Sequence, residues 1–319
     1  MNKNRTLFLV KNNPKNENEF AITNDINVQN ESALINLLGN HIETTDFCLP
    51  VVTDAFEYQG KDQVIPLQPE QIFFMDYVDI ADIKGKSVLE IGLGSGVLSI
   101  FCLLKGAKQG IGLDINPRAK IFTGFNAMVN GVADCLEIRD GNVEEIFAPV
   151  AKDTFDFIFS NPPFEPTPPN MDYYFNSAAG IYGLTFVEDL LKGVDKQLNK
   201  AGVFEMVTMA PGDKNDPFML YELIDKYLPN IEVEVILDQQ PIRYDDFVDR
   251  FVDIFQEDAG KIVEMKQTAQ NDGVTHCHML ILKYKKGVQG DLKVSRSPKL
   301  YESWDSPLGT AVSITEVMN

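Results

Sequence analysis

The sequence predicts an α/β fold in which seven strands form a mostly parallel sheet with helices on both faces. Short apolar runs alternate with helix-length periodic segments from Val88 to about Tyr284, the pattern of a sheet built from strand–helix units. A glycine-rich turn follows the first run, and an Asn-Pro-Pro-Phe turn follows the fourth. Because open α/β sheets bind ligands at the carboxyl ends of their strands, these turns also indicate a binding site.

The predicted strands are short, apolar and bounded by turn residues, as buried strands are. They are residues 88–91, 110–113, 136–138, 155–159, 203–209, 231–237 and 274–282. Four of the five segments between the first six strands have helical periodicity. The second of these helices has a clear start and end, with Asn116 before Pro117 and Gly131 after the last turn. The predicted helices are residues 97–105, 117–130, 184–198 and 218–228.

The two ends of the chain and one long insertion do not follow this alternation. Residues 239–273 separate the last two strands, far more than a hairpin loop needs, and include a helix candidate at 244–255. This insertion covers a site or packs a helix on the sheet edge. Before the first strand we expect a helix at 31–41, a hairpin from 56–60 and 64–66, and a helix at 70–80. The tail from residue 287 is polar and loop-like.

The composition argues against several classes of partner. The chain of 319 residues carries 28 lysines and arginines against 47 acidic residues, a net charge of −19, whereas a nucleic-acid binder must neutralise phosphates. It contains no apolar stretch of the ~18 residues that a spanning helix needs. The apolar run at 7–10 is too short for a secretory signal. We therefore expect a cytoplasmic protein whose partners are proteins, peptides or small molecules.

No metal site is predicted. The four cysteines are far apart and form no C-x-x-C pair, so reduced thiols are expected. On a strand, His276 and His278 would share one face with Cys277 on the other, and the chain has only three histidines in all.

The first strand leads directly into a turn whose backbone a ligand can approach closely. Glycines at 92, 94 and 96 allow tight backbone angles there. The spacing G-x-G-x-G differs from the pyrophosphate-binding pattern G-x-G-x-x-G. Glu90 precedes the turn, where its charge would be unfavourable beside a pyrophosphate but would suit the cationic end of an amino acid. The turn therefore indicates a cofactor other than a dinucleotide.

Two further strand ends carry polar residues suited to a nucleoside. The second strand ends at Asp114, 24 residues after Glu90, where a carboxylate can accept both ribose hydroxyls. The third is followed by Asp140-Gly141-Asn142, where a polar side chain can hydrogen-bond adenine.

The fourth strand ends in Asn161-Pro162-Pro163-Phe164. Prolines stop a strand because each fixes φ and removes a ladder donor. The Asn161 amide oxygen, the carbonyl between the prolines and the ring of Phe164 would then be presented together. Two acceptors beside an aromatic face suit a planar –NH2 group, whose lone pair is left to attack an electrophile. Asn-Pro and Pro-Pro are also ordinary loop residues.

Taken in this order, the motifs resemble class I S-adenosylmethionine-dependent methyltransferases, specifically the branch with an Asn-Pro-Pro-aromatic motif that methylates amide or exocyclic nitrogens. Within it, the pattern is closest to release-factor glutamine methyltransferases. The resemblance covers residues from about 56 to 284 and implies a Rossmann-like methyltransferase fold with S-adenosyl-L-methionine as cofactor. It implies that the cofactor is bound by Glu90, Gly92, Gly94, Gly96, Asp114, Asn142 and Asn161. It implies that the acceptor nitrogen is positioned by Asn161, Pro162, Pro163 and Phe164.

Some positions depart from the release-factor enzymes. Those enzymes have an arginine where this chain has Leu67-Gln68, and usually a tyrosine where it has Phe164. They also lack the 239–273 insertion and the long tail. The identity of the acceptor and the oligomeric state therefore stay open.

The resemblance implies the following organisation and function. Residues 1–75 form a substrate-recognition or capping region, residues 76–286 the cofactor-binding methyltransferase domain, and residues 287–319 a C-terminal tail. The predicted enzyme methylates an amide, amino or similar nitrogen of a protein, peptide or small molecule. The alternatives are methylation of an adenine or guanine base in nucleic acid, and a non-catalytic binding protein on the same fold.

Overall fold

The computed structural model describes residues 5–13, 16–23, 47–55, 58, 60–168, 179–254, 259–299, 301 and 312–313. The chain divides into two compact units, residues 1–145 with 302–319 and residues 146–301. Both are α/β, which confirms the predicted fold class of a mostly parallel sheet flanked by helices. The helix predicted at 31–41 lies outside the described residues, and the predicted domain boundaries stay predictions.

The first unit begins with an antiparallel sheet. Its strands are β1 (Arg5–Asn13), β2 (Asn16–Thr23), β3 (Cys48–Asp54) and β13 (Val312–Ser313). Strand β1 pairs with the other three, so a strand of the tail joins the sheet that opens the chain. The residues of β1 from Leu7 to Val10 are buried.

Three parallel strands follow in the spatial order β4-β5-β6. They are β4 (Ser87–Ile91), β5 (Gln109–Asp114) and β6 (Leu136–Asp140). The helices of this unit are α1 (Pro69–Tyr77), α2 (Ile80–Ile83), α3 (Val97–Leu104) and α4 (Pro117–Val129). Helix α3 is apolar on nearly every side and buried from Val97 to Leu103, as expected of a helix inside a core.

Helix α4 begins and ends where the sequence predicts. The Asn116 side chain accepts the N–H of Arg118 at 2.9 Å, and Pro117 occupies the first turn, where its missing N–H leaves no bond unmade. The chain leaves the helix at Gly131, whose φ of 69° favours glycine.

The second unit has parallel and antiparallel strands. They are β7 (Phe155–Ser160), β8 (Leu198–Gly212), β9 (Ile231–Leu237), β10 (Ile242–Arg243), β11 (His276–Gln289) and β12 (Leu292–Arg296). Strand β8 runs parallel to β7, and β11 lies antiparallel between β8 and β9. The helices are α5 (Thr185–Gln197), α6 (Phe218–Tyr227), α7 (Tyr244–Ile254) and α8 (Ala259–Asn271).

All seven predicted strands and the four predicted helices between them are confirmed, but two expectations were wrong. The tail is not loop-like, because it contains β12, which pairs in parallel with β9. Within the insertion, β10 adds a further strand on β11. Residues 64–66 form no strand; instead Val64 exchanges backbone and side-chain hydrogen bonds with Asp54. The helix predicted in the insertion is confirmed as α7, and a second helix, α8, was not predicted.

Among the described residues, no helix combines the length and the apolar content that crossing a membrane requires.

One buried side chain ties β3 to the glycine turn. Asn126 on α4 is 1% exposed. Its amide oxygen accepts the N–H of Val52, and its amide nitrogen donates to the carbonyls of Val52 and Ser95, each at 2.9 Å. Removing a buried partner leaves the opposite groups without hydrogen bonds, which costs more than the bonds themselves contribute.

We therefore predict that Asn126→Ala lowers the free energy of unfolding by about 2–4 kcal/mol, measured by urea denaturation. Gln267→Ala is the control, since that amide lies on the exposed side of α8 and its loss should change stability by less than about 0.5 kcal/mol. Equal stability of the two variants would contradict this assignment.

Candidate functional site

The glycine turn after β4 adopts a conformation that requires glycine. The φ angles of Gly92, Gly94 and Gly96 are 83°, 53° and 76°, in the left-handed region that other residues avoid. A Cβ on Gly94 would meet no atom within 4 Å. The turn therefore leaves open space beside Gly94, into which a ligand can approach the backbone.

A second glycine contact was not predicted from the sequence. A Cβ on Gly112 in β5 would lie 2.3 Å from the Leu93 side chain, so the strand must carry glycine for the turn to lie against it. The turn is also bonded to β5, because the N–H groups of Gly92 and Leu93 both donate to the Leu113 carbonyl, at 2.9 and 3.2 Å. The repeated glycines of 110–112 were the signal for this close approach.

Asp114, predicted to bind ribose, joins two strand ends. Its carboxylate accepts the N–H of Gly94 and the N–H of Asn116, each at 2.8 Å. Burial raises the pKa of Asp114 above its ordinary value, although the backbone N–H groups of Gly94, Asn116 and Ile115 oppose that shift. A carboxylate has about four acceptor positions, so two backbone bonds leave capacity for ligand hydroxyls.

Glu90 lies at the N-terminus of α3. The N-cap of that helix is Gly96, which has no side chain to cap it. The Glu90 carboxyl takes this role from the preceding strand: it accepts the N–H of Ser99 at 2.9 Å and the Ser99 hydroxyl as well. The carboxyl is 1% exposed.

The sequence predicts a negatively charged Glu90, whereas the structure favours the protonated side chain. Burial raises its pKa to about 8, with the Asp114 carboxylate adding to the shift and the bonds from Ser99 opposing it. Near neutral pH the side chain is thus largely protonated. A cationic group bound nearby would favour the carboxylate, so the role of Glu90 toward an amino-acid ammonium stays a prediction.

Asn142, predicted to bind adenine, lies exposed after β6. Its side-chain oxygen accepts the N–H groups of Glu144 and Glu145, at 2.9 and 2.8 Å, and so holds its own turn. Gly141, between Asn142 and β6, donates its N–H to the Asp114 carbonyl at 2.8 Å. The turn after β6 is thereby bonded to the end of β5.

Two exposed apolar side chains at these strand ends were not predicted. Ile115 is 47% exposed and Val143 is 73% exposed, and they follow Asp114 and Asn142 directly. Exposed apolar groups beside polar strand ends suit the faces of a planar base.

In the second unit, Asn161 follows β7 and carries an amide oxygen that no donor in the described part of the chain reaches. This Oδ1 atom is buried. A buried acceptor left in this state costs about 1–3 kcal/mol. Such a cost is expected where a ligand's N–H completes the bond.

The remaining motif residues continue this turn. Pro162 is buried, whereas Pro163 and Phe164 are half-buried. The chain then passes close to Gly183, where a Cβ would lie 2.2 Å from the Phe164 carbonyl oxygen. Gly183 has a φ of 69°, so both its conformation and its space require glycine.

A cavity of about 480 Å³ lies at the insertion. Its walls come from α7, α8 and the segment around β10 and the start of β11, and include Arg243, Asp249, Lys266 and His276. The Lys266 ammonium pairs with Asp249 at 2.8 Å. The cavity thus presents both signs of charge.

Within the first unit, the structure brings together Glu90, the glycine turn and Asp114 through backbone and carboxylate bonds. Asn142 belongs to a separate turn, which the N–H of Gly141 bonds to the end of β5.

Comparison with known proteins confirms the resemblance to methyltransferases. The sequence model of the ribosomal protein L11 methyltransferase family (PrmA) matches residues 23–162. A Methanocaldococcus jannaschii protein named "Putative protein N5-glutamine methyltransferase" is 36% identical over 139 residues, 40% of this chain and 64% of that protein. The ribosomal protein L11 methyltransferase of Actinobacillus pleuropneumoniae is 46% identical over 70 residues, 22% of this chain and 24% of that protein.

The chain spans less than two thirds of the length of both relatives. Among solved structures, an S-adenosylmethionine-dependent methyltransferase from Agrobacterium tumefaciens aligns with a TM-score of 0.46 at 13% identity, covering 75% of this chain and 68% of that one. The sequence similarity is to methyltransferases of the glutamine- and amino-methylating type.

The raised pKa of Glu90 predicts a pH-dependent stability. Between pH 4.5 and 8 the unfolded chain ionises this carboxyl while the folded chain keeps it protonated, so stability falls as pH rises through this window. Glu90→Gln does not titrate. In the ligand-free protein, urea denaturation should show this variant matching the wild type near pH 5 and exceeding it by a few kcal/mol, on the order of 3, at pH 8.5.

Glu144→Gln serves as the control, because that carboxylate is exposed and its removal should not change the pH dependence. If wild type and Glu90→Gln lose stability in parallel between pH 5 and 8.5, the Glu90 carboxyl is not the titrating group.

Proposed function

We propose that this chain is an S-adenosylmethionine-dependent methyltransferase that methylates a nitrogen atom of a protein. The observation that carries the proposal is the buried Asn161 Oδ1, an acceptor that no described donor reaches. It follows a strand that Pro162 and Pro163 terminate. A donor –NH2 group would supply the missing bond. The similarity to named N5-glutamine and L11 methyltransferases supports the same conclusion.

The residues of the first unit fit the proposed cofactor. The glycine turn leaves room beside Gly94 for the amino-acid portion. Asp114 keeps acceptor capacity for ribose hydroxyls after its two backbone bonds. Exposed Ile115 and Val143 offer apolar contacts for the adenine faces, and Asn142 a polar one. When bound, the cofactor supplies a methyl group on a positively charged sulfur.

The chain's own residues then orient the acceptor rather than activate it with a strong base. Asn161 Oδ1 and the Pro162 carbonyl accept the two N–H bonds, and the Phe164 ring contacts the face of the acceptor group. Holding the nitrogen in this orientation removes much of the entropic cost of reaction; well-oriented groups gain about 7–11 kcal/mol. No histidine lies in the motifs to act as a base.

A protein acceptor is favoured over nucleic acid. Both relatives carry names that describe methylation of protein. The net charge of −19 would repel a polyanion.

Asp114→Ala should weaken binding of S-adenosylhomocysteine by about 1.5–3 kcal/mol, or roughly 10- to 150-fold, because bonds to a charged acceptor are lost. Isothermal titration calorimetry measures this directly, with circular dichroism to verify that the variant is folded. Asp134→Ala, an exposed carboxylate, is the control and should bind like the wild type. If the folded Asp114→Ala variant binds S-adenosylhomocysteine as tightly as the wild type, Asp114 does not bind the ribose.

Asn161→Ala should lower turnover at least tenfold (about 1.4 kcal/mol), with little change in cofactor affinity, because the lost oxygen positions the acceptor. Radiolabelled methyl transfer is measured with purified ribosomal protein L11 and with glutamine-containing peptides. Asn199→Ala is the matched control, since Asn199 lies at the start of β8 and its amide donates to the Asp156 carboxylate in β7 instead. Turnover of Asn161→Ala equal to that of the control would contradict amino-group positioning.

A further inference from the structure

The acceptor motif is bonded to a second loop. After Phe164, the N–H of Thr167 donates to the Gly180 carbonyl at 2.9 Å, and the N–H of Ala179 donates to the Glu165 carbonyl at 3.2 Å. Gly183 then lies directly against the Phe164 carbonyl. Residues 179–183, hereafter the support loop, therefore fix where the chain goes as it leaves the motif.

The first helix of the insertion holds the support loop. Tyr244, at the start of α7, is 1% exposed. Its hydroxyl donates to the Ile181 carbonyl at 2.8 Å. A phenylalanine would fill the same space, so the hydroxyl's specific contribution is this one bond to the loop backbone.

The end of the second helix provides another contact. The hydroxyl of Tyr182, inside the support loop, donates to the carboxylate of Asp272, just beyond α8. Burial and the bond to Asp272 raise the pKa of Tyr182 to about 12, so the hydroxyl keeps its proton at neutral pH. The loop is thus bonded to both ends of the two-helix insertion.

Backbone hydrogen bonds and buried side chains hold the insertion in place where it makes these contacts. The N–H of Tyr244 donates to the Thr275 carbonyl at 3.0 Å. Strand β10 pairs with β11, and Arg243 lies opposite His276 in that antiparallel register. Apolar side chains of α7 and α8 are buried. They include Phe247, Val248, Ile262, Met265 and Ala269.

We propose that the insertion positions the acceptor motif through the support loop, with Tyr244 and Tyr182 as positioning residues for methyl transfer. This rests on the proposed function of Asn161 but concerns different residues, none of which touches the acceptor. The insertion transmits its own position to Phe164 by way of Ile181 and Gly183. Anything that displaces α7 or α8 then displaces the motif.

The test compares Tyr244→Phe, Tyr182→Phe and the double variant with the wild type by hydrogen–deuterium exchange and mass spectrometry. Loss of one hydrogen bond should speed exchange in peptides covering 161–168 and 179–184 by about 3- to 10-fold. The affinity for S-adenosylhomocysteine should not change. Where an acceptor gives turnover, kcat should fall by a similar factor while the KM for the cofactor stays constant.

Tyr227→Phe is the matched control. The Tyr227 hydroxyl donates to Glu188 at 2.6 Å and joins α6 to α5, so removing it should leave exchange at the support loop as in the wild type. Unchanged exchange in the double variant would overturn the proposal. So would faster exchange spread across the whole second unit, which indicates a general loss of stability. Failure of the wild type to bind S-adenosylhomocysteine would instead refute the proposed function and leave the exchange result to decide the positioning.

Discussion

The candidate site of the first unit depends on the backbone hydrogen bonds that the Asp114 carboxylate accepts. That carboxylate accepts one backbone N–H from the glycine turn after β4 and one from the start of α4. The bond from Gly94 holds the turn after β4 against the end of β5, and the bond from Asn116 holds the short turn that leads into α4. They also bury a carboxylate whose pKa rises in consequence. Bound hydroxyls would find an acceptor that the protein has already oriented, which lowers the entropic cost of binding.

Glu90 extends the same arrangement to α3. A glycine N-cap allows the turn to pass close to a ligand but leaves the helix without a capping side chain. Glu90 makes up for this from the strand, by accepting the N–H and hydroxyl of Ser99. One acidic residue thus solves a structural problem that the glycine turn creates, and it lies beside the space that the turn leaves open. Its buried, largely protonated state is the cost of that solution.

Local sequence patterns predicted the parts of this molecule that local chemistry determines. The strand runs, the Asn116-Pro117 helix start and the glycine turn depend on neighbours in the chain, and the structure contains them. Asn126 was missed because its partners, Val52 and Ser95, are 74 and 31 positions away. Strand β12 was missed because an edge strand with exposed Val294 has little apolar signal. The pKa of Glu90 depends on burial, which no spacing pattern gives.

In the second unit, the central feature of the proposed acceptor site is the Asn161 side-chain oxygen, which no donor among the described residues reaches. The most direct test is to incubate the protein with S-adenosylmethionine carrying a trideuterated methyl group and with candidate protein acceptors. Tandem mass spectrometry then locates the label. The account predicts the label on a side-chain nitrogen of the acceptor. A label on a carboxylate oxygen or on carbon would contradict it.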